Sequence, residues 1–279
     1  MTWNVHLFDL GEWTKDKSSK AKILKLIKDE NPDILCLQEF YWDADGSLEP
    51  YTRVLQQQGY PFVQFSIEHV INKSQITIAA KKGEKINVGH AVFSKYPLRN
   101  KQQYLMADKN YNMLSMEVVV DSINIFSLNV VHLTSVGFGR SEMAYIDEMK
   151  SKGVDAQNES KSKSLLKKLY TASAKRADMA NRIDSLKREM DYPQIICGDF
   201  NDVPGSYVYN TVKGKLSDAF VARGVGLGRT YQHIFPTLRI DYIFYDDTAL
   251  KAIGYKGISV GLSDHYPVIA NFSLREREK

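Results

Sequence analysis

The chain has 279 residues, of which 43% are hydrophobic and 25% charged, with a net charge of +4. That is enough chain for a large folded core, and the mild positive balance admits an anionic substrate but falls short of the basicity of a dedicated nucleic-acid binder. The two cysteines, Cys36 in PDILCLQEF and Cys197 in PQIICGDF, sit inside apolar runs, where a thiol reads as a small hydrophobe and suggests neither a disulfide framework nor a thiolate metal centre.

In chain order, TWNVHLF (2–8) reads as a strand at the very start. Interior strands rarely begin at a first residue, so an upstream segment is expected, anything from a short stub to a membrane anchor. No apolar run of 18 residues occurs, so the chain as given is expected to be soluble, with neither a spanning helix nor a signal peptide. Residues 17–30 carry Ala21, Leu24 and Ile27 on one face and stop before Pro32, the pattern of an amphipathic helix. A strand at 33–38, a short helix at 49–58 closed by Gly59, and strands at 61–66, 75–81 and 88–94 follow. Strands at 113–120 and 123–131 form a hairpin with Asp121 and Ser122 at its turn.

Helices are predicted at 141–152 and 161–190, separated by a polar loop within 151–164. The second carries an apolar stripe, Leu165, Leu169, Ala172, Met179, Ile183, Leu186 and Met190, with Arg176 inside it. Six basic residues and no acidic one lie between Lys161 and Arg176. Strands at 194–200, 239–245, 249–257 and 266–274 close the chain. Hairpins with interspersed helices, and no linker or repeat, predict one α/β (α+β) domain over 1–279. Its architecture would be a four-layer α/β/β/α sandwich of two mainly antiparallel sheets, with a helical insert around 141–190.

Strand after strand ends on a polar residue where an apolar one is expected. Asn4 and His6 interrupt the first strand, Glu39 follows DILCLQ, and His132 follows SLNVV. Asp199 and Asn201 follow QIIC, Asp241 lies at the opening of RIDYIFY, and Asp264 and His265 precede YPVIA. Each alone has a dull reading as a bulge, a turn-former or a surface ion pair such as Asp241 with Arg239. Jointly they differ, because carboxylates beside buried runs are costly unless paired or bound to metal. Oxygen ligands without thiolate favour a hard ion, Mg²⁺ or Mn²⁺.

TWNVH, LQE, NVVHL, GDFND, RIDYIF and SDHYPV, in this order over residues 2 to 267, resemble the endonuclease/exonuclease/phosphatase superfamily with its DNase I-like fold. The likeness is to a bacterial branch, apart from the DNA-repair and inositol-phosphatase branches. It implies a metal held mainly by Glu39, with Asn4 supporting that carboxylate and Asp264 close by. It implies Asp199 as base or positioner of the attacking water, and Asn201 as orienter of the phosphate. His265, backed by Asp241, and His132 would bind or protonate the phosphoryl group.

His6 departs from DNA-acting branches, which carry Asp there, and reads either as a further substrate ligand or as a packing histidine. His90 reads as structural, and His69 and His233 as surface residues. Tyr41, Trp42 and Tyr111 would line a pocket or stack bases. Arg140 and Arg176 would either anchor the insert by internal salt bridges or reach substrate phosphate.

The function expected is divalent-metal-dependent phosphoester hydrolysis on a small-molecule, lipid-borne or nucleic-acid substrate. The alternatives are a dedicated nuclease, or a non-catalytic binding module, which the retained carboxylates and histidines disfavour. No protein partner is implied, and a monomer is expected.

Overall fold

Alternation of side chains along the strands buries both faces of two six-stranded sheets in the computed structural model. The structure describes residues 1–45, 50–78, 80–106, 108, 110–152, 159–233 and 238–275. The first sheet is built from β1 (Thr2–Asn4), β2 (Ile34–Asp43), β3 (Phe62–Asn72), β4 (Lys85–Ser94), β11 (Leu250–Gly257) and β12 (Val268–Leu274), in the order β11-β12-β1-β2-β4-β3. The second holds β5 (Leu98–Leu105), β6 (Asn112–Val119), β7 (Ile125–His132), β8 (Gln194–Asp199), β9 (Ser217–Asp218) and β10 (Asp241–Tyr245), in the order β5-β6-β7-β8-β10-β9. Each sheet is antiparallel except for one parallel pair at its middle, β1 with β2 and β7 with β8.

Helices α1 (Ser19–Glu30), α2 (Pro50–Gln57), α3 (Arg140–Lys152), α4 (Glu159–Lys187), α5 (Tyr207–Lys213) and α6 (Ala219–Arg223) complete the fold. Three apolar clusters mark the three interfaces of a four-layer sandwich. Ile23, Ile27 and Leu55 of α1 and α2 pack on Leu35, Leu37 and Phe93 of the first sheet. Met179, Ile183 and Val212 of α4 and α5 pack on Val131, Ile196 and Phe244 of the second. Between the sheets lie Cys36 and Val92 from one side and Leu128, Cys197 and Ile243 from the other. In β2, Leu35 and Leu37 therefore face the helices while Cys36 faces the opposite sheet. Each fully buried side chain of this size contributes about 1.5–3 kcal/mol.

Several predicted elements shift. Among the described residues of the run at 75–81 there is no strand; Lys73–Gln75 form a 3-10 turn in the β3–β4 connection, and Ile78 is fully exposed. The exposed edge strand β5 escapes prediction because its residues are mostly polar on both faces. The short elements β9, α5 and α6 also go unread. β1 stops at Asn4, and His6 to Asp9 follow with φ between 43 and 54°, a left-handed turn that costs about 1 kcal/mol or more per residue. The predicted polar loop is shorter than 151–164, since α4 begins at Glu159; residues 153–158 lie outside the described ones. Leu169 of the predicted stripe is exposed. Among the described residues no helix is long and apolar enough to cross a membrane.

Candidate functional site at the ends of the parallel strands

The two central parallel pairs end at the same end of the sandwich, and their last residues meet there. Asn4 closes β1, and its amide donates to Glu39 Oε1 at 2.9 Å and to Asp199 Oδ2 at 3.1 Å, joining the two sheets. His132 and Asp199 are register partners at the ends of β7 and β8. Asp241 opens β10 directly opposite Asp199, and its backbone N–H donates to Thr230. The loop before β12 supplies the rest: Trp3 Nε1 donates to the carbonyl of His265 at 2.9 Å, and Ser263 Oγ to that of Asn4 at 2.8 Å.

Asp199 is the hub. Its Oδ1 accepts from the Asn201 backbone at 2.9 Å, and its Oδ2 from the Asn201 side chain at 3.2 Å. Two imidazoles flank that same oxygen, His265 Nε2 at 3.5 Å and His132 Nε2 at 3.8 Å. Each is anchored from behind by a carboxylate on Nδ1: Asp241 Oδ2 at 2.9 Å for His265, and Glu68 Oε2 at 3.2 Å for His132. His6 Nδ1 lies 3.2 Å from Asp264 Oδ1, and its ring stacks on Trp13 with centroids 4.1 Å apart.

Two β-bulges aim the acidic side chains inward. In β2 the register jumps between Leu37 and Phe40, and Glu39 stands at φ 51°. In β3 it jumps between Ile67 and His69, which leaves Glu68 as the extra residue. Both bulges border Gly89 of β4, and a Cβ on Gly89 would lie 2.0 Å from the Ser66 carbonyl oxygen. Bulges near a site re-aim side chains in this way, and residues held at positive φ, here His6, Glu39 and Asn201, concentrate at functional sites.

Burial pushes Asp199 up to about 6; nearby Asp241 adds to the rise, and His265 and His132 oppose it. Burial pulls His132 down, but Glu68, Asp199 and Glu39 outweigh it and lift the imidazole to about 9. His265 is likewise raised, by Asp241 and Asp199 against its burial. Glu68 is held near 2 because His90 and His132 overcome its desolvation. Asp264 is lowered against its own burial, chiefly by the bond to His6.

The model of the Endonuclease/Exonuclease/phosphatase family matches residues 1–265. The chain belongs to that family. Family membership makes it a phosphoester-cleaving hydrolase, and the two-sheet sandwich is the family fold. No curated protein sequence matches the chain. Among solved structures, the human Nocturnin catalytic domain with bound sulfate is 21% identical, with 98% of this chain and 93% of that one covered and a TM-score of 0.66. ANGEL2, a 2′,3′-cyclic phosphatase in complex with adenosine-2′,3′-vanadate, is 17% identical, with coverage of 97% and 94% and a TM-score of 0.62. Sphingomyelinase C from Streptomyces griseocarneus is 17% identical, with coverage of 96% and 97% and a TM-score of 0.59. At these identities the likeness is one of fold.

In this member of the family, Asn4, His6, Glu39, His132, Asp199, Asn201, Asp241, Asp264 and His265 are joined in one network. Asp241 does not pair with Arg239, which bonds Asp218 instead. Arg176 is not at this network: its Nε bonds Asp202 Oδ2 at 3.0 Å, and its Nη1 donates to the Thr134 carbonyl at 3.0 Å, so it anchors α4 as an internal ion pair. Arg140 opens α3, but its side chain lies outside the described residues. Tyr41 and Trp42 are buried in the outer core rather than lining the cleft, whereas Tyr111 stands edge-on to His132 at 5.3 Å.

The sequence reading missed Glu68. Its signal was an inverted alternation in FSIEHV, with Ser66 and Glu68 buried and Ile67 exposed between them. His90, expected to be structural, is fully buried with Nε2 3.3 Å from Glu68 Oε1 and 3.1 Å from the Asn112 carbonyl.

Asp199, Asp241 and His265 present ligand atoms within 4.8 Å of one another and form one candidate metal group. In it, however, the His265 ring lies between the two carboxylates, which hold it protonated, so its nitrogens carry protons rather than the lone pairs that an ion would need. Glu39 offers a better donor. Its side chain is 30% exposed, and the Asn4 amide fixes one oxygen. Among the described residues no lysine or arginine neutralises Glu39, Asp199 or Asp264. An all-oxygen, acidic donor set of this kind fits a hard divalent cation.

Proposed function

We propose that the protein hydrolyses a phosphoester with a divalent cation, Mg²⁺ or Mn²⁺, held mainly by Glu39 and supported by Asn4 and Asp264. Bound there, such an ion supplies Lewis-acid stabilisation of the charge that grows on the phosphoryl oxygens. The protein's own groups do the rest. Asp199 accepts the proton of the attacking water; a carboxyl near 6 is ionised at neutral pH yet basic enough for the task. Its two amide partners, Asn4 and Asn201, hold the accepting oxygen in place.

His265 and His132 present Nε2–H to the phosphoryl group. Asp241 and Glu68 fix the Nδ1 protons and keep both rings cationic at neutral pH, so two positive donors face the anionic substrate. His132, beside Tyr111, is placed to protonate the leaving oxygen. His6, whose imidazole is raised by its bond to Asp264 against its burial and which stacks on Trp13, lies at the rim as a further phosphate contact.

The observation that carries this reading is the convergence of two carboxylate–imidazole pairs on one carboxylate oxygen, Asp199 Oδ2. It is tested with bis-p-nitrophenyl phosphate and p-nitrophenyl phosphate in Mg²⁺, Mn²⁺ and chelator. Asp199→Asn should lower kcat by about 10²–10⁴-fold with KM little changed. Undiminished turnover by that variant, or by the wild type in chelator, would falsify the assignment.

A further inference from the structure

The insert was the part of the sequence that the site did not absorb. Its basic stretch lies on α4, and Lys161, Ser164, Lys168, Thr171 and Lys175 recur at steps of three and four, which places them on one helical stripe. From Lys161 to Lys175 that stripe runs about 21 Å. Ser164, Lys168, Thr171 and Lys175 of that stripe, together with Lys167, form one wall of an open groove of about 290 Å³, completed by Ser135, and among the described residues no carboxylate lines it.

The opposite wall begins at Thr134, two residues beyond His132 and next to Leu133, whose carbonyl accepts from the Asn201 side chain, so the groove lies beside the site. Arg176 ties the walls together through the Thr134 carbonyl and Asp202, the neighbour of Asn201. Lys168 is tethered to Glu142 of α3 at 2.5 Å, and Lys175 to Asp108 at 3.0 Å. Both tethers are partly exposed and weak, and an incoming phosphate competes with them. Among the described residues Lys167 has no ion-pair partner.

We infer that this groove is a second anionic subsite, which holds phosphates remote from the scissile one, and that the substrate is an extended chain bearing phosphate groups along its length. Ammonium and hydroxyl donors on an open wall suit phosphoryl oxygens, and the absence of an aromatic shelf means that the groove reads the backbone rather than any base. A small monophosphate or a neutral lipid tail leaves the stripe without a partner. The inference rests on the phosphoester reading for its direction along the cleft, but its binding is measured separately.

The test compares the wild type with K167Q/K168Q/K175Q and with the triple arginine variant, which keeps the charge. Hydrolysis of bis-p-nitrophenyl phosphate, too short to reach the groove, should be equal in all three and shows that the site is intact. On a labelled oligothymidylate, the glutamine variant should lose kcat/KM through KM, and the arginine variant should not. Binding by fluorescence anisotropy in an Asp199→Asn background should show the slope of log Kd against log[salt] reduced by about 2 in the glutamine variant, at about 0.7 per single-strand phosphate contact. A fourfold rise in salt then weakens the parent protein about 16-fold more than the variant.

Linear inorganic polyphosphate is the second arm. If it binds in place of the oligonucleotide, with the same lysine dependence, the subsite stands with that source. Equal salt slopes in the parent and glutamine variants, or no binding of either polyanion, overturns the inference. Failure of the wild type to hydrolyse any phosphoester would overturn the parent reading and leave the binding result readable.

Discussion

Glu68 and His132 show how two side chains that are each unfavourable to bury become favourable together. The glutamate is held down near 2 and the histidine up near 9, each overcoming its own desolvation. The signs set a pH window. The histidine, raised from an ordinary 6.5, contributes stability in full below pH 6.5 and loses it as pH climbs through 9. The glutamate, lowered from 4.5, contributes above pH 4.5 and loses it as pH falls through 2. Glu68→Gln should therefore cost most between pH 4.5 and 6.5, about 3 kcal/mol for a broken buried pair, and progressively less as pH rises from 6.5 through 9. Urea titrations of both proteins across pH 5 to 10 measure this; a gap that widens at alkaline pH would rule the pairing out. The same substitution should lower kcat by about 10²-fold or more, because His132 loses the partner that keeps it cationic.

At the scale of elements, the site depends on strands that approach more closely than ordinary side chains permit. Gly198 sits at φ 141° one residue before Asp199, and a Cβ there would lie 1.9 Å from the Val131 carbonyl oxygen. Gly198→Ala must push β8 away from β7 and separate Asp199 from His132. The expected cost is about 2 kcal/mol or more, seen as a lower urea midpoint, with activity falling beyond what unfolding explains. An alanine variant with wild-type midpoint and turnover would show that the close approach is dispensable. The bulges at Glu39 and Glu68 act at the same scale. Each interrupts a regular ladder against β4, and the extra residue turns its carboxylate toward His132, Glu39 Oε1 to Nε2 and Glu68 Oε2 to Nδ1.

Across the whole molecule, the proposed cation site predicts that folding is coupled to cation binding. Glu39 and Asp264 come from distant parts of the chain, so an ion held by them favours the folded state by mass action, about 2.7 kcal/mol at a concentration 100 times Kd. Mg²⁺ or Mn²⁺ should thus raise the wild-type Tm by several degrees, and chelator should reverse the rise. Glu39→Gln should abolish the shift while keeping the metal-free Tm close to that of the wild type. Calorimetry or dye-monitored melting with and without metal decides the matter, and an undiminished shift in Glu39→Gln would move the ion elsewhere.

The sequence by itself determined the local parts. Apolar runs with turn residues at their ends marked β2, β4, β6, β7, β8 and β10 within a few residues, since a strand's burial is written in its own composition. The polar residues that closed those strands named most of the site, because a charge beside a buried run needs a partner. Tertiary structure decided what depends on neighbours. Glu68 looked like any surface acid until a bulge in β3 turned it beneath His132. Arg176 was a candidate phosphate ligand until Asp202 and the Thr134 carbonyl enclosed it. Ile76 to Ile78 had strand chemistry but form no strand. Side-chain propensity is local, whereas register, bulges and charge pairing arise only when distant segments meet, and those contacts gave Asp199 its two imidazoles.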